Sequence, residues 1–321
     1  MTTRCSKLKR NLARAFVVGL LIVSSIGLVA GCGSTVNSLE TTATAPTSAP
    51  TATPKVASTP LQNGGRNLRV SYIDVGQGDS ILIQIPNGKT VLIDAGENNQ
   101  GDKVVSYLQS QGVQRLDVTI WTHPHADHIG GADTVTNAFE IGKVIMPKET
   151  STTQSFRSLI NAISQKGLKI TEAKAGVKLD LGSEVDAELL APNSTHYEEV
   201  NNYSAVLRLT YGQTTFLFTG DAQSESEQEM IKAGYDLKAD VLKVGHHGSR
   251  TSTSAEFLTK VQPKYAVISV GKDNDYGHPT ANTLTRLQKA GVNVYRTDES
   301  GTVLAESDGQ SITFTGGRKS Q

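Results

Sequence analysis

Thr122-His123-Pro124-His125-Ala126-Asp127-His128-Ile129-Gly130-Gly131 places three imidazoles and a carboxylate within six positions, His123 to His128. The run 117–122, Asp-Val-Thr-Ile-Trp-Thr, leads directly into it and reads as a largely apolar strand. In a tight loop off such a strand, His123 and His125 can aim at one point, and Asp127 and His128 at a second a few ångströms away. Neutral imidazole with carboxylate suits zinc, manganese or iron, and a divalent cation lowers the pKa of bound water to about 7. The dull alternative is a surface His-rich loop that binds metal adventitiously, and the residues downstream weigh against it.

Working outward, Phe216-Leu217-Phe218-Thr219-Gly220-Asp221 is an apolar strand ending in a carboxylate, placed where it can bridge two ions. Val241-Leu242-Lys243-Val244-Gly245-His246-His247-Gly248-Ser249 is a second strand ending in imidazoles, and Gly277-His278-Pro279 follows a third. Alone, each has a plain explanation: Gly-Asp is a common turn, and His278 can cap the next helix. Together they repeat ligand chemistry at the ends of several strands, which is how a dinuclear site is distributed.

The surrounding texture is short β-branched runs alternating with helical segments. Strands are expected at 68–75, 80–86 and 90–95, with Pro86-Asn87-Gly88 as a hairpin turn. Further strands are expected at 143–147, 169–171, 185–190, 204–211, 214–219, 239–244 and 265–270, with a closing β pair at 301–305 and 311–315. Helices are expected at 103–111, 154–165, 224–233, 254–261 and 281–289. Strand pairs followed by alternating strand and helix, twice over, give an α/β layered domain over residues 67–321.

Upstream of this domain the composition changes. Residues 1–31 carry Arg4, Lys7, Lys9, Arg10 and Arg14 with no acid, then the apolar run 15–30, then Gly31-Cys32. This order reads as an export signal. An uncleaved anchor is the bland alternative, since 16 apolar residues (15–30) is near the short limit for spanning. Val29-Ala30-Gly31-Cys32 resembles the bacterial lipobox, which implies cleavage and lipidation at Cys32. The protein is thus expected to be extracytoplasmic and held to the membrane through that lipid. Residues 32–66, rich in Thr, Ala, Pro and Ser without apolar periodicity, read as a disordered tether.

The whole chain of 321 residues balances 31 basic against 31 acidic side chains, but without residues 1–31 the balance is 26 to 31, about −5. That argues against a strongly basic protein that coats nucleic acid. Cys5 and Cys32 are the only cysteines, too few for a disulfide framework or a Cys-rich zinc site.

These motifs are similar to those of the metallo-β-lactamase fold superfamily, and within it to the hydrolase-like domain of ComEC-type competence proteins. The resemblance runs over about residues 68–315. It rests on the His-x-His-x-Asp-His block, on Tyr72-Ile-Asp-Val-Gly-Gln-Gly-Asp79-Ser and on Leu92-Ile-Asp94-Ala-Gly. Asn202-Tyr-Ser-Ala-Val-Leu, Thr219-Gly-Asp221, Lys243-Val-Gly-His-His-Gly-Ser249 and Val270-Gly-Lys-Asp-Asn-Asp-Tyr-Gly-His-Pro279 complete it. It implies a four-layer αββα sandwich holding two divalent ions, zinc or manganese. His123 and His125 would hold the first, Asp127, His128 and His246 the second, and Asp221 would bridge them. Asp94, with Asp79 beside it, would orient the ligand loop. The sequence departs from the broad pattern where other members place a histidine before the hairpin: here it reads His196-Tyr-Glu-Glu-Val-Asn-Asn202. His196 is a weak candidate for the gap, and Asn202 is expected beside the site.

The superfamily pattern specifies fold and metal dependence far better than substrate. The first expectation is a phosphodiesterase or nuclease, with Lys243, Ser249 and His278 clamping phosphate and with Asp127 and His247 also catalytic candidates. Nucleic acid or another phosphodiester would be its substrate, and no protein partner is expected. The alternatives are a hydrolase of lactones, lactams or other small esters, and a non-catalytic metal-binding domain. A complete ComEC-type channel needs many membrane spans; this sequence offers one apolar segment.

Overall fold

The computed structural model describes residues 67–316. The expected signal (1–31), the tether (32–66) and Cys32 lie outside the described residues.

Two sheets are built in chain order. The first holds β1 (Leu68–Tyr72), β2 (Ile81–Gln84), β3 (Thr90–Ile93), β4 (Arg115–Ile120), β5 (Glu140–Met146) and β6 (Ile170–Glu172). The second holds β7 (Val185–Ala191), β8 (Val206–Tyr211), β9 (Thr214–Phe218), β10 (Val241–Lys243), β11 (Tyr265–Ile268) and β12 (Asn293–Arg296). The last two strands, β13 (Val303–Ser307) and β14 (Ile312–Thr315), return to the first sheet beside β1. The helices are α1 (Gly101–Ser110), α2 (Ala126–Ile129), α3 (Ala132–Ala138), α4 (Gln154–Gln165), α5 (Ser224–Ala233), α6 (Ala255–Val261), α7 (Ala281–Lys289) and α8 (Thr297–Ser300).

Period-two alternation divides each strand between two cores. In β9, Phe216 and Phe218 face the inter-sheet core while Leu217 faces outward; in β2, Ile81 and Ile83 face inward and Leu82 outward. The outward residues of the first sheet are covered by α1, α3 and α4 through Val104, Leu108, Val135, Leu159 and Ile163. Those of the second are covered by α5, α6 and α7 through Met230, Phe257, Leu258, Val261 and Leu287. The result is the four-layer αββα arrangement. Each fully buried aliphatic side chain contributes roughly 1.5–3 kcal/mol. In α4, Thr153 accepts from Phe156 N–H as the N-cap, and Ser155, Leu159, Ala162 and Ile163 form one buried stripe at helical spacing.

The fold places the site by strand direction. In the first sheet β3, β4, β5 and β6 run parallel, and in the second β9, β10, β11 and β12 do. The loops leaving the C-terminal ends of β4, β9, β10 and β11 carry the histidine and aspartate motifs. Their convergence is therefore a consequence of topology. Helices α2, α3 and α8 and strand β12 carried no expectation from sequence.

Candidate metal centre

Asp94, at φ 56° directly after β3, organises the loop behind β4. Its Oδ1 accepts from Thr122 N–H at 2.8 Å, and its Oδ2 accepts from the Thr122 hydroxyl at 2.6 Å. The same Oδ2 lies 2.7 Å from His128 Nδ1, which directs His128 Nε2 toward the other ligands. Burial raises the Asp94 pKa, with the His128 ring pulling the other way. His247 is held in the same manner, its Nδ1 lying 2.9 Å from the Ser269 carbonyl.

Four groups then converge. His128 Nε2 and His247 Nε2 are 3.3 Å apart, and Asp221 Oδ2 lies 3.2 Å from the first and 3.4 Å from the second. Asp127 Oδ2 is 3.2 Å from His247 Nε2, and one donor atom from each of the four residues falls within a 4.8 Å cluster. Burial disfavours a charged ring at His128 and His247, but Asp221 and the neighbouring carboxylates outweigh it and raise both pKa values well above the ordinary range. Two Nε2 atoms at that distance have room for one proton between them, so the raised proton affinity belongs to the pair. Burial likewise disfavours the Asp221 carboxylate, yet His128 and His247 hold its pKa well below normal; Asp127 is lowered by the same rings.

A second pairing sits beside the first. His123 Nε2 and His125 Nδ1 are 3.0 Å apart, and His123 Nδ1 faces the Thr122 and Ser204 hydroxyls at 3.1 and 3.3 Å. Burial, and then the His128 charge, push the His123 pKa well down and keep it a neutral donor. Two pairs of ring nitrogens facing one another beside ionised carboxylates fit divalent ions, since a metal satisfies every lone pair at once. Asp221 Oδ1, buried without a hydrogen-bond partner, adds to that fit.

The structure differs from the sequence expectation at several named residues. His247, not His246, joins the convergent four. His246 stands to the side, its Nε2 3.7 Å from Asp221 Oδ2 and its Nδ1 near Thr251 Oγ1 at 3.3 Å. Lys243 does not face the cavity: it is fully buried, with Nζ 2.5 Å from Asp79 Oδ2 and donating to the Gly220 carbonyl at 3.1 Å. It is therefore a poor phosphate clamp. Burial would raise the Asp79 pKa, but the Lys243 charge lowers it. Ser249 is buried with its hydroxyl 3.0 Å from Thr251 Oγ1, where it ties the loop together and does not line the cavity. Asn202 accepts from Gln223 N–H and Ser226 N–H and donates to Glu225, securing the start of α5 behind Asp221. His196 is exposed in a small turn with Ser194.

The cluster opens into a cavity of about 350 Å³. His125, Asp127, Asp221, His246, His247 and His278 line it, joined by Gln77, Glu97, Ala126, Asn201 and Tyr276. Burial and the neighbouring His246 lower the His278 pKa to about 4, so this ring is neutral at pH 7. Asn201 Oδ1 is buried with no partner. Gln77, Glu97, Asn201 and Tyr276 escaped the sequence reading; all four lie inside or directly beside the motifs, but nothing there marked which side chain would turn inward. A larger groove of about 550 Å³ beside α6 and α7 holds Arg286 and Lys289 but none of the imidazole–carboxylate cluster.

Gly78 lets the two loops meet. A Cβ there would sit 2.1 Å from the Asp127 carbonyl oxygen, which also accepts from Asp79 N–H at 3.2 Å. With φ 122°, this position favours glycine on both counts.

The profile of the metallo-beta-lactamase superfamily matches residues 73–272, a span that includes the whole convergent cluster. The chain belongs to the metallo-β-lactamase superfamily. Its relatives include ComE operon protein 3 of Bacillus subtilis, 36% identical over 263 residues, covering 77% of this chain and 34% of that protein. Recombination protein 2 of Haemophilus influenzae is 33% identical over 243 residues, covering 73% of this chain and 28% of that one. The chain thus spans about a third of the length of these curated relatives. Among solved structures, the metallo-β-lactamase fold protein YhfI of Bacillus subtilis aligns with a TM-score of 0.51 at 14% identity, covering 75% of this chain and 99% of that one. That likeness concerns the metallo-β-lactamase fold alone.

Proposed function

We propose that this protein is a metal-dependent phosphodiesterase acting on nucleic acid. The observation that carries this reading is the wall of the cavity. Apart from Ala126 and Tyr276, every lining residue is polar or ionisable, which suits a charged substrate and offers little to the apolar body of a lactone or lactam. The names of relatives, a recombination protein and the competence protein ComA of Neisseria gonorrhoeae, agree with a DNA substrate.

His123 and His125 would hold a first divalent ion, and Asp127, His128, His247 and Asp221 a second, with zinc or manganese as the metal. When bound, such a pair supplies a water of lowered pKa and positive charge opposite the phosphate. The protein's own residues do the rest. Asp94 holds the His128 ring with Nε2 toward the site, and the Ser269 carbonyl does the same for His247. Of the three residues expected to clamp phosphate, His278 alone lines the cavity, and its neutral ring offers an N–H to a phosphate oxygen. Asn201 Oδ1, buried without a partner in the cavity wall, would offer a metal an oxygen in place of the histidine that the sequence lacks.

The test compares turnover of single-stranded DNA, bis(p-nitrophenyl) phosphate, a lactone and a cephalosporin by the manganese- or zinc-loaded protein, with and without chelator. Phosphodiester cleavage that chelator abolishes is the expected result. Hydrolysis of the lactone or cephalosporin alone would transfer the site to the small-ester class, and no turnover with metal bound would make it a binding domain.

The same proposal places the domain outside the cytoplasm on a lipid at Cys32, on the strength of the Val29-Ala30-Gly31-Cys32 sequence. Cys32→Ala should move the protein out of the detergent phase; unchanged partitioning rules this placement out.

A further inference from the structure

Tyr276 stands out at the mouth of the cavity. It is 66% exposed, and only it and Ile170 are exposed large hydrophobic residues among those described. Ile170 belongs to β6 at the edge of the first sheet, whereas Tyr276 lies in the loop that follows β11 of the second. The Tyr276 ring lies over the His278 imidazole, with centroids 5.8 Å apart and planes 21° from parallel. His278 in turn meets His246 edge-on at 5.6 Å, and His246 Nε2 is 3.7 Å from Asp221. A short line of rings therefore leads from solvent to the Asp221 carboxylate.

The loop carrying Tyr276 is pinned. The Asn274 side-chain amide donates to the Gly271 and His278 carbonyls at 2.9 and 2.6 Å. Its oxygen accepts from Tyr276 N–H at 3.2 Å and from His278 N–H at 3.0 Å. Gly271 N–H is itself held by Gln77 Oε1 at 3.2 Å, tying the loop to the opposite wall. An aromatic ring in water on a backbone fixed by four bonds from one side chain loses little further freedom when a planar ligand settles on it.

We infer that Tyr276 is a stacking platform for a nucleobase next to the phosphodiester being cleaved, and that the substrate is therefore single-stranded nucleic acid. This rests on the phosphodiesterase reading and narrows it. A base paired inside a duplex has both faces covered by its neighbours, whereas an unpaired base can lay one face on an aromatic ring, and every base has such a face. The polar wall takes the sugar and phosphate, and the exposed Tyr276 ring takes the base. Tyr276 thus selects for strandedness with little sequence preference.

The experiment measures, by fluorescence anisotropy, binding of two fluorescein-labelled phosphorothioate strands to the full manganese-loaded chain: an oligothymidine, and an abasic strand of the same length. The parent protein should bind the oligothymidine more tightly. Tyr276→Ala should weaken oligothymidine binding by roughly tenfold, within the range for one lost base–aromatic stack, and leave abasic binding unchanged. Tyr276→Phe should stay near the parent. If Tyr276→Ala weakens both strands equally or neither, or if the parent binds both strands alike while still cleaving DNA, the platform is overturned and the phosphodiesterase reading stands. If the parent binds neither strand and hydrolyses only a lactone or cephalosporin, both fall together.

Discussion

Lys243 and Asp79 meet where water reaches neither: both are fully buried, Lys243 at the end of β10 and Asp79 in the loop between β1 and β2. The pair joins the two sheets beneath the convergent cluster, and the ammonium also holds the carbonyl of Gly220, the residue before Asp221. Removing one partner of a buried pair strands the other charge, which costs about 3–5 kcal/mol. Lys243→Met should therefore destabilise the metal-free protein by about that amount in urea unfolding, and adding Asp79→Asn should recover most of the loss. A single-variant loss below about 1 kcal/mol, in the range of exposed pairs, would show the contact to be incidental. Lys243 also shows what sequence hides. Val241 faces the inter-sheet core and Lys243 shares its parity on β10, so alternation alone turns the ammonium inward. A lysine just before two histidines reads as a phosphate contact because its true partner lies on the other sheet.

At the scale of elements, long periodic segments were legible and loop geometry was not. The helix expected at 154–165 has those bounds in the structure, since Thr153 caps it and its apolar spacing is regular. The short α3 has a weak pattern and directly follows a glycine pair, so nothing in the sequence announced it. The strands carrying the motifs were legible because each apolar run ends abruptly in Gly, His or Asp. The order of His246 and His247 was not. Both adopt left-handed backbone, at φ 50° and 52°, so the chain turns sharply and sends adjacent rings apart. The ring centroids stand 6.1 Å apart with planes at 75°, one over the open cavity and one inside the cluster. Two consecutive non-glycine residues in that region are costly, and they persist only where surrounding contacts over-determine them. Ser249 N–H bonding to the His246 carbonyl and His246 N–H to the Gly220 carbonyl, at 2.8 and 3.2 Å, are two such contacts.

Across the whole molecule, the proposed metal pair would act as a cross-link. Asp127 and His128 follow β4 of the first sheet, whereas Asp221 and His247 follow β9 and β10 of the second, so no single sheet owns the site. In the unfolded chain these groups separate, and an ion that binds only the folded form adds stability in proportion to the logarithm of its free concentration. At a hundred times the dissociation constant the gain is about 2.7 kcal/mol. For a domain of this size that raises the thermal midpoint by roughly 5–10 °C. His247→Ala removes one of the convergent donors, so it should lose most of the metal-induced rise along with one metal equivalent. His246→Ala should keep both, because its ring lies beside the cluster and not within it. Calorimetric midpoints of the chelated and metal-loaded proteins, read with their metal content, decide the matter. A rise abolished by His246→Ala and retained by His247→Ala would restore the ligand order first expected from the sequence, and an equal rise in both variants would detach stability from this site altogether.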